Sequence, residues 1–343
     1  MPLRATLDNE DVLAFDFSPD KWAKLKGSYK KNCTLTLPCC GHNAIPKTSK
    51  LKTQFFTHAR GANCAAVSET KEHLQLKTLI AKAAKDAGWK VITEYRGMTP
   101  DGEEWIADVY CEHLNAKVAF EIQWSHQTQD EYMRRTEKYK RSGVRCAWFF
   151  RLGKREYNSV NSHESESLPY FGFRQVDDGW VVSRYNEKLE SFVRNMLIGR
   201  LEWSPKLGKP ISAQLGYCEV PCWKCDKSTR IITRLEFDYG NSGRYLKVFN
   251  FINDNVPEWI AKYIPDDFLT EHHIGQVKRR QNLGGNYQYT NGCVHCDAIF
   301  GNFYSKRKAG KIFYIPFNWN YEECKLTFEA GWYYKGYIGK DIY

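Results

Sequence analysis

Between residues 69 and 152 a helical hydrophobic period gives way to three stretches of strand period, a second helical period and a wholly apolar run. That order, αβββαβ, predicts an α/β fold, and a fourth strand reached through a helix after an antiparallel meander makes the sheet mixed. Two Cys-x2-Cys pairs in the last third predict a separate C-terminal β-rich domain resembling a zinc ribbon. A third observation concerns the segment from Glu104 to Trp124, EWIADVYCEHLNAKVAFEIQW, which reads as two strands joined by a short polar turn. Period-two alternation puts Asp108 on one strand face, and Glu121 and Gln123 together on a face of the next. Buried carboxylates are costly unless paired, and a divalent metal relieves two at once.

Composition narrows the class. At 343 residues the chain has room for two or three domains, and 42% hydrophobic with 26% charged residues suits a soluble globular protein. It offers no run of about 18 apolar residues and no signal-peptide start, so the expectation is a cytoplasmic protein without a membrane partner. A formal charge of +10 with 15% aromatic residues favours polyanionic partners. Twelve cysteines in such a chain read as thiols and metal ligands rather than disulfides.

Taken in order, residues 1–65 form an N-terminal basic segment bearing Cys33, Cys39, Cys40, His42, His58 and Cys64. The set Cys40, His42, His58 and Cys64 can close a tetrahedral zinc site, although the spacing is not that of a standard finger. The core spans 66–155. Its helix covers 69–87, with Leu76, Leu79, Ile80, Ala83 and Ala84 on one face, Ser68 as N-cap and Gly88 as terminator. Glu69, His73 and Lys77 lie four apart along the edge of that face, which reads equally as a site or as an ion-paired flank.

A strand over 89–95, the paired strands and a helix over 127–143 follow. From Gln127 to Arg155 nine Lys or Arg stand against three Asp or Glu. The run 144–152, VRCAWFFRL, has the continuous apolar character of a strand buried on both faces. Residues 156–210 form an extension: a polar loop over 156–167, a hairpin with Asp-Asp-Gly at its turn, and a helix over 186–201. From 211 to 343, Cys222 with Cys225 and Cys293 with Cys296 supply the two halves of a tetrahedral zinc site, with Cys218 and His295 as spare donors.

An acid on the second strand and acid-x-polar on the third, within such a core, suggest metal-dependent phosphodiester hydrolysis. Magnesium, or manganese in its place, suits one or two carboxylates plus substrate oxygens, so Asp108 and Glu121 are the expected ligands. Gln123 can orient water or phosphate, but a neutral amide cannot act as a base.

The segments FFTHARG, EHLQLK, EEWIADVYCE, AFEIQWS and MRRTEKYKRSGVRCAWFF, within residues 58–150, resemble the competence protein CoiA-like family of the PD-(D/E)XK nuclease superfamily. The resemblance implies a restriction-endonuclease-like core, a magnesium-dependent DNase mechanism and a DNA substrate. By motif, Asp108, Glu121 and Gln123 take the places of the D…(D/E)-x-K signature, with Gln123 where the family pattern has lysine. His73 and Lys77 match its helix motif and are expected beside the metal or phosphate. Arg134, Arg135, Lys138 and Lys140, with Tyr139 packed beside them, are the expected phosphate contacts. The reading is thus a DNA endonuclease whose zinc domain binds substrate or partner. The alternative is a non-catalytic DNA-binding protein, or an RNA-acting one, on the same scaffold.

Overall fold

The computed structural model describes the chain apart from residues 1, 32, 60–63, 65–68, 126, 154–164, 207, 239–245, 253–254, 282–283, 302–310, 321–329 and 335–343. It divides into two units, residues 1–200 and residues 201–340.

The first unit opens with structure of its own where the sequence suggested only a basic segment. Strands β1 (Arg4–Leu7) and β2 (Glu10–Leu13) form a hairpin whose turn residues Asp8 and Asn9 both adopt positive φ. Helix α1 (Pro19–Ser28) starts on the Ser18 hydroxyl, which accepts from the Lys21 N–H, and has proline in its first turn. Strand β3 (Leu35–Thr36) pairs with β1, and β4 (Ala44–Thr48) pairs with β5 (Gln54–His58). Trp22, Leu25, Leu37 and Phe56 fill this small core. The signal was weak because its strands are only two to five residues long.

The central sheet is mixed, as the element order predicted. Helix α2 (Lys71–Asp86) precedes strands β6 (Lys90–Met98), β7 (Glu104–His113) and β8 (Ala116–Gln123), which form an antiparallel meander. Helix α3 (Gln129–Arg141) then carries the chain to β9 (Arg145–Arg151), parallel to β8. Helix α2 begins two residues later than expected, because Thr70 and not Ser68 caps it: its hydroxyl accepts from the His73 N–H. Ser68 itself lies outside the described residues.

The sheet continues past residue 155. Strand β10 (Tyr170–Val176) adds parallel to β9, and β11 (Gly179–Val182) and β12 (Glu187–Lys188) extend it antiparallel, giving the order β12-β11-β10-β9-β8-β7-β6. The expected hairpin therefore belongs to this sheet, while most of the expected loop over 156–167 lies outside the described residues. Helix α4 (Leu189–Leu197) packs with α2 on one face, where Phe192 meets Phe149 and Phe171. Tyr132 and Tyr139 of α3 pack on the other against Trp105, Trp148 and Tyr170. Strand β9 is buried on both faces, Trp148 and Phe149 each fully covered. Each such aromatic contributes about 2–3 kcal/mol on burial.

The second unit is built mainly of strands. Strand β13 (Leu201–Ser204) comes first, and β14 (Pro210–Pro221) and β15 (Ser228–Asp238) then form a long antiparallel hairpin. Strand β16 (Leu246–Asn250) flanks β15. Helices α5 (Val256–Tyr263) and α6 (Asp266–Glu271) follow, then β17 (Lys278–Gln281), β18 (Tyr287–Gly292) and β19 (Ile299–Phe300) in one small sheet. Strand β20 (Phe313–Asn320) completes the larger sheet beside β14, and β21 (Gly331–Tyr334) pairs with β13. No helix among the described residues is long and apolar enough to cross a membrane.

Candidate metal centres and acidic site

The polar site forms where β7 leaves its neighbours. The β7–β8 ladder ends at Val109 opposite Phe120. Beyond that point the Asp108 carboxylate turns into the opening, and its Oδ2 accepts the Ile122 N–H at 2.9 Å. On the other side of β7, the ladder with β6 passes from Thr93–Val109 to Tyr95–Ala107 and skips the Glu94–Asp108 position. Glu94 takes φ +50° there, a conformation costing an ordinary L-residue about 1–2 kcal/mol. Its carboxylate reaches Lys77 instead of continuing the pleat.

Helix α2 supplies the cations. Its inward face carries Leu74, Leu76, Ile80, Ala83 and Ala84, with Lys77 among them and completely buried. The Lys77 ammonium donates to both Glu69 oxygens, at 2.8 and 3.1 Å, and pairs with Glu94. Burial works against that charge, yet Glu94, Glu69 and Asp108 together raise its pKa above the usual lysine value. Four residues earlier, His73 Nε2 lies 3.1 Å from Asp108 Oδ2. Burial opposes the imidazolium, but the charge and hydrogen bond of Asp108 raise His73 overall. Burial would likewise lift Asp108, and His73, Lys77 and the Ile122 N–H hold it down at about 2.

Glu121 follows a different logic. It is buried on the α3 face, where its Oε2 receives Arg135 at 2.6 Å and its Oε1 meets the Tyr139 hydroxyl. Burial and the nearby Asp108 outweigh Arg135 and Tyr139, so Glu121 is lifted to about 7. The Tyr139 hydroxyl also lies 3.0 Å from the Ile106 carbonyl oxygen. One hydroxyl hydrogen cannot serve both acceptors, so a proton on Glu121 satisfies all three groups.

The structure thus brings Glu69, His73, Lys77 and Asp108 into one cluster, with Glu121 linked to it electrostatically through Asp108. Gln123 does not join them: its amide donates to the Ser125 carbonyl at 2.7 Å. Of the expected phosphate-binding residues, Arg135 and Tyr139 turn inward to Glu121. Arg134 and Lys140 face solvent beside Glu131 and Glu137, and Lys138 lies near Glu103. Sequence reasoning missed Glu94, although a carboxylate within the apolar run WKVITEY was the available signal. It also missed the inward role of Arg135.

Glu69, His73 and Asp108 offer ligand atoms all within 4.8 Å of one another. Two carboxylates and an imidazole fit a divalent cation. The nitrogen donor suits Mn²⁺ and its neighbours better than the all-oxygen preference of Mg²⁺. Glu94 Oε2 is buried without a hydrogen-bond partner, while its other carboxylate oxygen pairs with Lys77.

The two Cys-x2-Cys knuckles of the second unit have matching geometry. Each sits at a turn, Cys222 and Cys225 between β14 and β15, Cys293 and Cys296 between β18 and β19. In each, the aspartate after the second cysteine adopts positive φ and donates its N–H to the carbonyl of the first at 2.9 Å. Cys222 Sγ lies 3.6 Å from Cys296 Sγ, and Cys225 Sγ lies 3.8 Å from Cys293 Sγ. Burial would raise Cys222, but the Cys225 and Lys224 N–H groups lower it to about 7. These four thiols can hold a zinc ion. The spare donors are not used: His295 Nε2 contacts the Ser228 carbonyl, and Cys218 is buried among Val220, Ile231 and Phe300.

A mixed sheet that gathers two carboxylates, a histidine and a buried lysine where its strands part defines an α/β domain with a metal-competent acidic site. Residues 69–198 match the family described as "Competence protein CoiA, nuclease-like domain". No curated protein matches the chain. Among solved structures, one titled "Crystal Structure of Protein of Unknown Function AF1548" is 13% identical, with a TM-score of 0.22. That match covers 32% of this chain and 62% of the other.

Proposed function

We propose that this protein is a metal-dependent DNA endonuclease, with Glu69, His73 and Asp108 as the residues that hold its divalent cation. The observation that carries the reading is the cluster itself. Three ligand-type side chains from α2 and β7 converge at the point where β7 and β8 separate, within a segment that matches the CoiA nuclease-like family.

The cation supplies polarisation of the phosphate and activation of water. The chain's own residues do the rest. Ile122 N–H and His73 fix the Asp108 carboxylate in its ionised form. Lys77 aligns Glu69 and balances Glu94, so it is the buried cation facing Asp108 in a site where the family pattern places lysine at Gln123. Glu121, near 7, is poised to hold or release a proton at neutral pH, steered by Arg135 and Tyr139. Arg134, Lys138 and Lys140 on α3 offer positive charge for DNA phosphates. In this reading the core is restriction-endonuclease-like, and the knuckle domain is zinc-stabilised and positions substrate or a partner.

The test is cleavage of supercoiled, linear and single-stranded DNA, and of RNA, with Mn²⁺ or Mg²⁺. DNA cutting abolished by EDTA, by Asp108→Ala and by Glu121→Ala is expected. Binding without cutting, unchanged in both variants, supports the non-catalytic scaffold instead, and cutting confined to RNA reassigns the substrate.

A further inference from the structure

We propose that the N-terminal part of the first unit holds a structural zinc ion on Cys39, Cys40, His58 and Cys64, separate from the knuckle site. The four ligand atoms lie within 4.8 Å of one another. The set differs from the sequence expectation at one position: Cys39 replaces His42, whose side chain is exposed on the loop after the Cys39–Cys40 turn.

Geometry argues for zinc rather than a chance gathering of thiols. Zn–S bonds of about 2.3 Å at tetrahedral angles place ligand sulfurs about 3.8 Å apart, and a Zn–N bond of about 2.05 Å places sulfur and nitrogen about 3.6 Å apart. Cys39 Sγ lies 3.8 Å from Cys40 Sγ, 3.8 Å from Cys64 Sγ and 3.6 Å from His58 Nε2. These are tetrahedron edges for one thiolate, and the knuckle sulfurs show the same spacing at 3.6 and 3.8 Å. The backbone is prepared for it. The Cys40 and Gly41 N–H groups both donate to the Leu37 carbonyl, tightening the turn so that adjacent cysteines face one point. Gly41 at φ +68° lets the chain leave that turn. His58 ends β5, whose pairing with β4 at Ala44–His58 brings it beside the turn.

The position gives the ion a structural task. Leu3, Phe55 and Leu74 form one apolar cluster, and the Leu3 N–H donates to Glu94 at 3.2 Å, so this subdomain abuts the acidic site. Binding Cys64 to the β5 end anchors the chain five positions before Glu69.

Metal analysis of the intact protein tests this. The expected content is about two zinc ions per chain, falling to about one in Cys39→Ser and in Cys222→Ser, and unchanged in His42→Ala. If Cys39→Ser does not fold, His58→Cys keeps a thiolate donor and retains two, and its cobalt-loaded form gains sulfur-to-metal charge-transfer absorption. About one zinc in the wild type, all lost from Cys222→Ser, overturns the proposal. So does loss of zinc in His42→Ala with retention in a folded Cys39→Ser. Metal content is read without DNA, so failure here is distinguishable from failure of the nuclease reading.

Discussion

His73 Nε2 meets Asp108 Oδ2 at 3.1 Å, joining the first turn of α2 to the strand where the central meander comes apart. The same carboxylate oxygen receives the Ile122 N–H, so one atom ties helix, β7 and β8 together. Asp108 is thus both a backbone plug and the most strongly acidified carboxyl in the site.

His73→Ala removes the imidazole and leaves Asp108 with Lys77 and the Ile122 N–H. Mn²⁺ affinity is expected to fall by about 10- to 100-fold, as when a metal's near environment loses a partner. Isothermal titration with Mn²⁺ measures it. An unchanged affinity removes His73 from the ligand set.

Lys77→Met keeps most of the side-chain volume but leaves Glu69 and Glu94 facing each other without a counter-charge. Breaking a buried ion pair on one side costs about 3–5 kcal/mol. Urea unfolding followed by a first-unit probe is expected to shift by that order. Restoration by the double change Glu69→Gln, Glu94→Gln would confirm that the loss comes from stranded carboxylates.

Much of this arrangement was legible in the sequence, and the parts that were not have physical reasons. The hydrophobic period of α2 and the alternation across β7 and β8 located the helix, the hairpin and the acids, because burial on one face imposes those periods. Period alone could not register the skipped Glu94–Asp108 position, since a left-handed residue inside a strand leaves no periodic trace. Gln123 followed Glu121 by alternation, yet its amide is captured by Ser125, a local choice made at the strand end. Cys39 and His42 were indistinguishable as donors until the Leu37 turn fixed which of them faces His58 and Cys64.

Glu121→Gln should change how stability depends on pH. In an unfolded chain the carboxyl titrates near 4.5, and in the fold near 7. The folded state therefore holds the extra proton between these values. The stabilisation is complete below about pH 4.5 and lost as pH rises through about 7. Denaturation at intervals from about pH 5 to about pH 8 is expected to show the variant gaining on wild type as pH rises. Asp108, held near 2, affects only more acidic solutions, where its stabilisation is lost as pH falls. Parallel curves for the two proteins would remove the proton from Glu121.

Removal of zinc from the knuckle site should loosen the second unit, because the sulfur contacts Cys222–Cys296 and Cys225–Cys293 join two separate sheets. Cys225→Ser or strong chelation is expected to speed limited proteolysis within residues 201–340. Equal digestion rates would make the four thiols dispensable to the fold.

The role of the Asp108 carboxylate is tested by plasmid cleavage in Mn²⁺ by wild type beside Asp108→Asn, which keeps the shape and removes the charge. A fall of about 100-fold or more in the cleavage rate is expected, with the variant still folded and still binding DNA. Equal cleavage by the two proteins, or none by either under conditions where the wild type is folded and metal-loaded, would contradict it.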